Sequence, residues 1–251
     1  MVNAVVLAGR ANDGRLKEYG PPESEALIDI AGKPMLQYVL DALRGSRGVE
    51  RIMVIGPPQI LSQAVSAPGV EFLPGGDSIT DHVLIASRHL AQDKPILIVT
   101  SDIPLVTTEM IDRFLEAAGG LAADFCYPIA RRQDNEARYP GVKRTYVSLR
   151  DGTFTGGNIF LVNPPVIERV IKKAEEFIRY RKSPVKLAGL LGWSFVLGLA
   201  LKRLNIKQLE AKVSRLFNVK ARAVLCPDPE VGLDVDKPSD LELVRRVLGD
   251  R

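Results

Sequence analysis

The chain has 251 residues, of which 46% are hydrophobic and 25% are charged, and this composition is ordinary for a globular protein with a full core. A mild basic excess, 34 Lys and Arg against 30 Asp and Glu, suits anionic small molecules, nucleic acid or an anionic membrane surface. The two distant cysteines, Cys126 and Cys226, argue against a disulfide framework or a zinc site. The N-terminus has no signal-peptide pattern, and we expect a cytoplasmic protein.

Short apolar runs alternate with helical patterns along the first part of the chain. Strands are predicted at 4–9, 51–56, 95–101, 124–129, 158–162 and 221–225, and helices at 34–44, 78–91, 107–118 and 239–249. This order predicts a three-layer α/β/α domain with a mostly parallel sheet, in which ligands bind beyond the carboxyl ends of the strands. Residues 164–218 are almost continuously helical in pattern, which predicts a helical insertion within a single 1–251 domain.

Carboxylates follow two of the predicted extended segments. Asp102 comes directly after a buried strand, in TSDIP, and Asp234 and Asp236 alternate about Val235, so that in an extended segment they share one face. Carboxylates at the end of a strand can hold Mg²⁺, which takes oxygen ligands from one or two carboxylates and from substrate phosphates. The alternatives are an ordinary turn aspartate and a solvated acidic turn.

The first loop, AGRANDGR, follows a β-branched strand and contains several cations. Gly9 and Gly14 have the GxxxxG spacing of a P-loop, but Arg15-Leu16 stands where Lys-Ser/Thr is required, so a P-loop is disfavoured. Arg10, Arg15 and Lys17 nevertheless lie close to the glycines, as a polyphosphate cradle requires.

Two further segments could meet a second substrate. Gly156 and Gly157 permit close approach of the backbone to a ligand, and Asn158 offers an amide, although the same residues suit a bulge or a hairpin turn. Residues 131–150 contain a run of cations that suggests an anionic acceptor or, alternatively, a solvated basic loop: Arg131, Arg132, Arg138, Lys143, Arg144 and Arg150.

Taken together, the motifs resemble those of the MobA-like (molybdenum-cofactor guanylyltransferase-like) nucleotidyltransferases. The matching segments are AVVLAGR, ALIDIAGKPMLQYVLDAL, ILIVTSDIPLVT, TGGNIFLV and GLDVDKPSDLELV, in this order. The resemblance implies a Rossmann-like, GT-A-like nucleotidyltransferase fold. It also implies an enzyme that transfers NMP from an NTP, with GTP or CTP favoured, to an anionic and phosphorylated acceptor with release of pyrophosphate.

The resemblance also implies roles for individual residues. Asp102 would bind Mg²⁺, with Asp234 or Asp236 completing the metal site. Arg15 and Lys17 would act in catalysis with Asp102. The nucleotide would be bound by residues of two segments: Leu7, Ala8, Gly9 and Arg10, and Gly76, Asp77 and Ser78. The acceptor would be bound by Arg131, Arg132, Gly156, Gly157 and Asn158.

The sequence departs from the family pattern at two positions. Arg10 replaces the second glycine of the usual LAGG, and Glu25 stands where a lysine usually precedes the ALL-type run. Losing such an electrostatic donor can cost about 10²- to 10³-fold in rate, unless Arg10, Arg15 or Lys17 substitutes for it. The alternative is a catalytically weakened protein of the same fold that senses NTP, in which Glu25→Lys would raise activity sharply.

The segment 184–203 contains the apolar run 187–201, which includes Trp193. Basic residues flank this run on both sides: Arg179, Arg181, Lys182 and Lys186 before it, and Lys202 and Arg203 after it. Basic residues beside an apolar helix are typical of an interfacial membrane segment, which would make the protein peripheral to the inner face of the membrane or a membrane-surface scaffold. Burial within a subdomain or in a homodimer interface is the more common arrangement. Nucleic-acid binding is disfavoured because the cations are not interleaved with stacking aromatics.

Overall fold

The computed structural model describes residues 1–90, 92–180 and 183–249. Three predictions therefore extend beyond the described part: the helix 78–91 at residue 91, the helical insertion 164–218 at residues 181–182, and the 1–251 domain at residues 250–251. The strands are β1 Val2–Leu7, β2 Asp29–Ile30, β3 Lys33–Pro34, β4 Val49–Ile55, β5 Val70–Leu73, β6 Ile96–Thr100, β7 Phe125–Arg131, β8 Val147–Leu149, β9 Gly152–Gly156, β10 Ile159–Val162 and β11 Ala221–Cys226. The helices are α1 Met35–Gly45, α2 Pro58–Ala64, α3 Ile79–His89, α4 Thr108–Gly119, α5 Arg132–Arg138, α6 Pro164–Tyr180, α7 Pro184–Leu191, α8 Trp193–Ala200, α9 Ile206–Phe217 and α10 Pro238–Gly249.

The main sheet is mostly parallel, as the sequence predicts. Its order is β5-β4-β1-β6-β10-β7, and β11 runs parallel to β7 on the opposite edge of that strand. Only β10 is antiparallel to both of its neighbours within this path. The hairpin β8–β9 joins the distal part of β7, where Ile129 pairs with Gly156. Because β1 and β6 are parallel neighbours, their carboxyl ends lie side by side at one end of the sheet.

Alternating residues of the central strands enter two separate cores. Val6 and Val99 pack with α1 and α4 on one face, whereas Val5 and Ile98 pack with α3 and α6 on the other. Successive side chains of a strand point to opposite faces, so a strand buried on both faces must be apolar throughout. The apolar runs of β1 and β6 meet this requirement, and the three-layer arrangement predicted from the sequence is confirmed.

The helices between β10 and β11 are connected to the sheet. Val166 and Ile167 of α6 are buried in the same core as Val5 and Ile98. At the other end of the block, Glu210 of α9 accepts a hydrogen bond from the Ala223 amide of β11 at 2.8 Å. The first helix of the block therefore forms part of the layer that also contains α3.

Several short elements were not predicted from the sequence. They are β2, β3, β5, α2, α5 and the hairpin β8–β9, and none of them carries enough residues for a clear hydrophobic period. In addition, β1 ends at Leu7, so Ala8 and Gly9 belong to the following loop. None of the helices in the described residues is both long and apolar enough to cross a membrane.

Candidate active site

Three aspartates meet where β6 and the segment before α10 end at the same edge of the sheet. Asp102 follows β6 by two residues, and the Val235 amide donates to its backbone carbonyl at 2.9 Å. The Val235 side chain is fully buried, which turns the two flanking aspartates away from the core. Asp102, Asp234 and Asp236 each place a carboxylate oxygen within 4.8 Å of the others, so the predicted shared face exists.

Asp102 is the member of the cluster with the most strongly perturbed carboxyl group. The hydroxyl of Thr100 donates to Asp102 Oδ1 at 2.5 Å, which favours the ionised form. Removal from water outweighs this hydrogen bond and, together with the charges of Asp234 and Asp236, raises the pKa of Asp102 to about 6. The ionised cluster is therefore held at an energetic cost that a bound cation would relieve.

Each of the other two aspartates is paired with an arginine. Arg144, only 14% exposed, contacts Asp234 at 2.5 Å, and Arg10 contacts Asp236 at 3.2 Å. Desolvation raises the pKa of Asp234 against the opposing effect of Arg144. Desolvation also acts on Asp236, but hydrogen bonds with Asp234 and Arg10 outweigh it and lower the pKa of Asp236.

The donor set fits a hard divalent cation. Three carboxylates converge, and oxygen ligands of this kind are those that Mg²⁺ binds in proteins. Two arginines satisfy part of the negative charge but leave Asp102 without a cationic partner among the described residues. Asp102 together with Asp234 or Asp236 would hold the ion, as the sequence predicts.

Arg10 bridges the first loop and the aspartate cluster. Its Nε lies 3.2 Å from Glu25 Oε2 while its Nη1 lies 3.2 Å from Asp236 Oδ1. The Glu25 side chain is 6% exposed, and its amide donates to the Arg10 carbonyl at 3.1 Å. Burial raises the pKa of Glu25, although Arg10 opposes this change. The two residues that depart from the family pattern are thus ion-pair partners.

The first loop also contacts the start of α3 through His82. The Nε2 atom of His82 donates to the Gly76 carbonyl at 3.0 Å, and a Cβ atom at Gly9 would overlap the His82 ring. Ser78 caps α3 in a capping box with Asp81, which fixes the path of the exposed Gly76 and Asp77. The structure therefore brings the predicted nucleotide-binding segments 7–10 and 76–78 next to each other.

The predicted acceptor segment 156–158 is fixed beside β6. The Thr100 backbone amide donates to the Asn158 carbonyl at 3.1 Å, and the Asn158 backbone amide donates to the Val231 carbonyl at 2.7 Å. A Cβ atom at Gly157 would lie 2.7 Å from Pro128 Cγ and 2.8 Å from the Val231 carbonyl, so glycine is required there for close packing. This segment adjoins the strand end that carries Asp102.

Four of the five predicted cationic site residues form no ion pair with the aspartates in the described part of the chain. Arg15 and Lys17 are exposed on the first loop, with Leu16 between them buried against Val235 and its neighbours. Arg131 and Arg132 line a pocket of about 320 Å³ with the β8–β9 turn, and Arg132 Nε contacts Glu136 at 2.7 Å. Their catalytic and acceptor-binding roles stay predictions.

Two features of the site could not be read from a single motif. Arg144 was one of six cations in the run 131–150, and nothing in the sequence distinguished it as the one that reaches Asp234. The pairing of Arg10 with Glu25 did have a signal, because the two departures from the family pattern carry opposite charges.

The sheet order and the strand-end cluster together define a protein of the nucleotidyltransferase fold class. Residues 4–181 match the MobA-like NTP transferase domain. The chain belongs to this family. A solved structure described as a hypothetical transferase from Thermus thermophilus has 34% identity and a TM-score of 0.85, with 96% of this chain and 99% of that chain covered.

More distant proteins share the fold or part of the sequence. A CMP:2-keto-3-deoxy-manno-octonic acid synthetase complexed with CTP has 16% identity and a TM-score of 0.62, with 100% of this chain and 99% of that one covered. A 3-deoxy-manno-octulosonate cytidylyltransferase from Anaeromyxobacter dehalogenans is 33% identical over 109 residues, 41% of this chain and 45% of that protein. The bifunctional protein GlmU of Cupriavidus metallidurans is 29% identical over 121 residues, 47% of this chain and 26% of that protein. This chain thus aligns with less than half the length of either curated relative.

Proposed function

We propose that the protein is a Mg²⁺-dependent nucleotidyltransferase that transfers NMP from an NTP to an anionic, phosphorylated acceptor and releases pyrophosphate. The observation that carries the proposal is the cluster of Asp102, Asp234 and Asp236 beside a cationic first loop. Membership of the MobA-like NTP transferase family and the nucleotidyltransferase names of the relatives support the reaction class.

The residues around the cluster are suited to hold a triphosphate in place. A bound Mg²⁺ would neutralise charge on the phosphates during displacement at the α-phosphorus. Arg10 lies next to the aspartate cluster. Because Glu25 holds its Nε atom, its Nη1 atom points toward the cluster at Asp236. At the other end of the first loop, the buried His82 ring packs against Gly9 and bonds to the Gly76 carbonyl, and we assign the exposed backbone at these two glycines to the nucleoside.

The acceptor side is assigned to the segment 156–158 and to Arg144. This arginine is nearly buried and lies against the cluster, so a phosphorylated acceptor could meet a fixed guanidinium there. No nucleophilic side chain is needed, since positioning and electrostatic stabilisation account for most of the catalysis in phosphoryl chemistry.

A second candidate is a nucleotide sensor with little turnover, and Glu25 is the observation that favours it. A carboxylate replaces the usual lysine, but Arg10 supplies a cation to the same neighbourhood. The two candidates differ in one measurement, because a sensor binds an NTP without releasing pyrophosphate in the presence of any acceptor.

The first experiment is calorimetric titration with ATP, GTP, CTP and UTP, each with and without Mg²⁺. We expect one nucleotide to bind in a Mg²⁺-dependent manner and Asp102→Ala to abolish that dependence. Asp93→Asn, which changes an exposed aspartate outside the site, is the matched control. Failure of all four nucleotides to bind the native protein would overturn the proposal, and pyrophosphate release in an acceptor screen separates the enzyme from the sensor.

A further inference from the structure

Helix α8 presents an apolar stripe to solvent. Trp193, Leu197 and Leu201 are 65%, 60% and 51% exposed, and among the big apolar side chains that the structure describes only Met1 is more exposed. Their spacing of four residues places all three on one face of α8, with Leu201 just beyond the last residue of the helix. Large apolar side chains exposed together, rather than singly, indicate a surface that meets another apolar phase.

The opposite side of α8 is anchored to the protein. Leu199 packs with Leu204 against Leu149 and Phe154 of the β8–β9 hairpin. The Arg150 amide at the hairpin turn donates to the Leu204 carbonyl at 2.8 Å, which fixes the chain just after the helix. The stripe is therefore presented outward by a helix whose other face is already used in packing.

Positive charge is concentrated in the same block of sequence. Residues 164–218 contain 12 Lys and Arg against four Asp and Glu, whereas the remainder of the chain contains 22 against 26. The block is thus strongly cationic, although the rest of the protein is mildly anionic. Lys186, Lys202, Arg203 and Lys207 are exposed close to α8 along the chain.

The exposed face of α8 could meet a second copy of the chain or a membrane, and the charge around it favours the membrane. A second copy docked through α8 would bring two cationic blocks together, and like charges would oppose that contact. An anionic bilayer surface instead offers an apolar interior for the stripe and a negative potential for the flanking cations. Helix α8 has 8 residues, too few to span a bilayer but suited to lying in its interface.

We propose that α8 docks the protein onto an anionic membrane surface, with Trp193, Leu197 and Leu201 entering the headgroup–acyl boundary and the flanking cations contacting lipid phosphates. The docking does not depend on nucleotidyl transfer. It would, however, place the β8–β9 hairpin, which continues into the segment 156–158, close to the membrane.

Trp193 is the only tryptophan in the chain and reports directly on the proposed contact. Vesicles of phosphatidylglycerol with phosphatidylcholine should shift its emission to the blue and carry the full-length protein to the top of a flotation gradient. Vesicles of phosphatidylcholine alone should bind at least about tenfold more weakly, and added salt should weaken binding to the anionic vesicles.

Two double variants separate the apolar and electrostatic contributions. Leu197→Ser with Leu201→Ser should lower vesicle partitioning about tenfold or more, whereas Ile60→Ser, at an exposed apolar position on α2, should leave it unchanged. Lys202→Gln with Arg203→Gln should lower it about tenfold or more. The control Arg44→Gln with Arg47→Gln removes the same charge from exposed positions elsewhere and should have a much smaller effect.

Three outcomes would overturn the proposal. The first is the absence of flotation with anionic vesicles, and the second is equal binding to neutral and anionic vesicles. The third is a blue shift of Trp193 that grows with protein concentration without lipid, accompanied by a doubled mass in light scattering, which would assign the face to a second copy. Matching circular dichroism melts confirm that each variant compared is folded.

Discussion

At the scale of single residues, Asp102 combines a catalytic assignment with a cost to stability. The folded state raises its pKa from 3.8 to about 6, mainly by desolvation, so the fold favours the protonated carboxyl. A raised carboxyl pKa lowers stability as the pH rises from about 4 through 6, and above that range the full penalty is present. The sequence indicated this residue from its place after a buried strand. The penalty itself depends mainly on burial and also on the charges of Asp234 and Asp236, which are distant in the chain.

We predict that Asp102→Asn stabilises the protein in the absence of divalent cations. The variant lacks the desolvated charge and should gain about 1–2 kcal/mol in the free energy of unfolding near pH 7.5, with little gain near pH 4. Urea denaturation in EDTA at both pH values measures the difference, and Asp93→Asn serves as the control. An equal gain at the two pH values would contradict the assignment of the effect to ionisation.

A second residue-scale prediction concerns the pair of Arg10 and Glu25. If Glu25 acts by orienting Arg10, Glu25→Gln and Arg10→Gln should each weaken NTP binding by roughly tenfold. The double variant should then bind no more weakly than Arg10→Gln alone, since the two changes remove one interaction. Calorimetry on the four proteins of this cycle measures the coupling, and additive losses would show that the two residues act independently.

At the scale of elements, long apolar patterns were readable from the sequence and short ones were not. The runs that became β1, β4 and β6 are apolar at successive positions because both faces of these strands are buried. The sequence did not predict the hairpin β8–β9, because its stability comes from pairing with β7 and packing against Leu199. Contacts of this kind have no local signal.

The junction between β9 and β10 supplies a matched pair of glycine substitutions. Gly157→Ala should destabilise the protein by about 1–3 kcal/mol, because a Cβ atom would meet Pro128 and the Val231 backbone. Gly156→Ala should have an effect within about 0.5 kcal/mol, since nothing lies within 4 Å of a Cβ atom there. Thermal unfolding of both variants checks the prediction, which fails if the two shifts are equal.

At the scale of the whole molecule, helices α6, α8 and α9 of the block between β10 and β11 pack against strands of the sheet. Val166 and Ile167 of α6 pack against Val5 and Ile98, so we expect the block 164–218 to unfold together with the sheet. The sequence pattern showed where the block begins, but its hydrophobic period could not reveal which of its faces would cover the sheet and which would face solvent.

Calorimetry tests whether the chain is one cooperative unit. The native protein should give a single transition with a calorimetric enthalpy close to the van't Hoff enthalpy. Phe114→Ala, which removes a buried ring on the opposite face of the sheet, should move the whole transition to lower temperature and cost about 3–5 kcal/mol. A second transition that Phe114→Ala leaves in place would show that the helical block folds separately.

The bridge from Arg10 to Asp236 would make the two proposed ligands depend on each other. A polyanion at Arg10 would compete with Asp236 for its guanidinium, and a cation at Asp236 would compete with Arg10 for that carboxylate. Each ligand would therefore free a group that the other uses, which is positive cooperativity without any movement of a domain. Because linkage is reciprocal, the factor by which the cation raises polyanion affinity equals the factor by which the polyanion raises cation affinity.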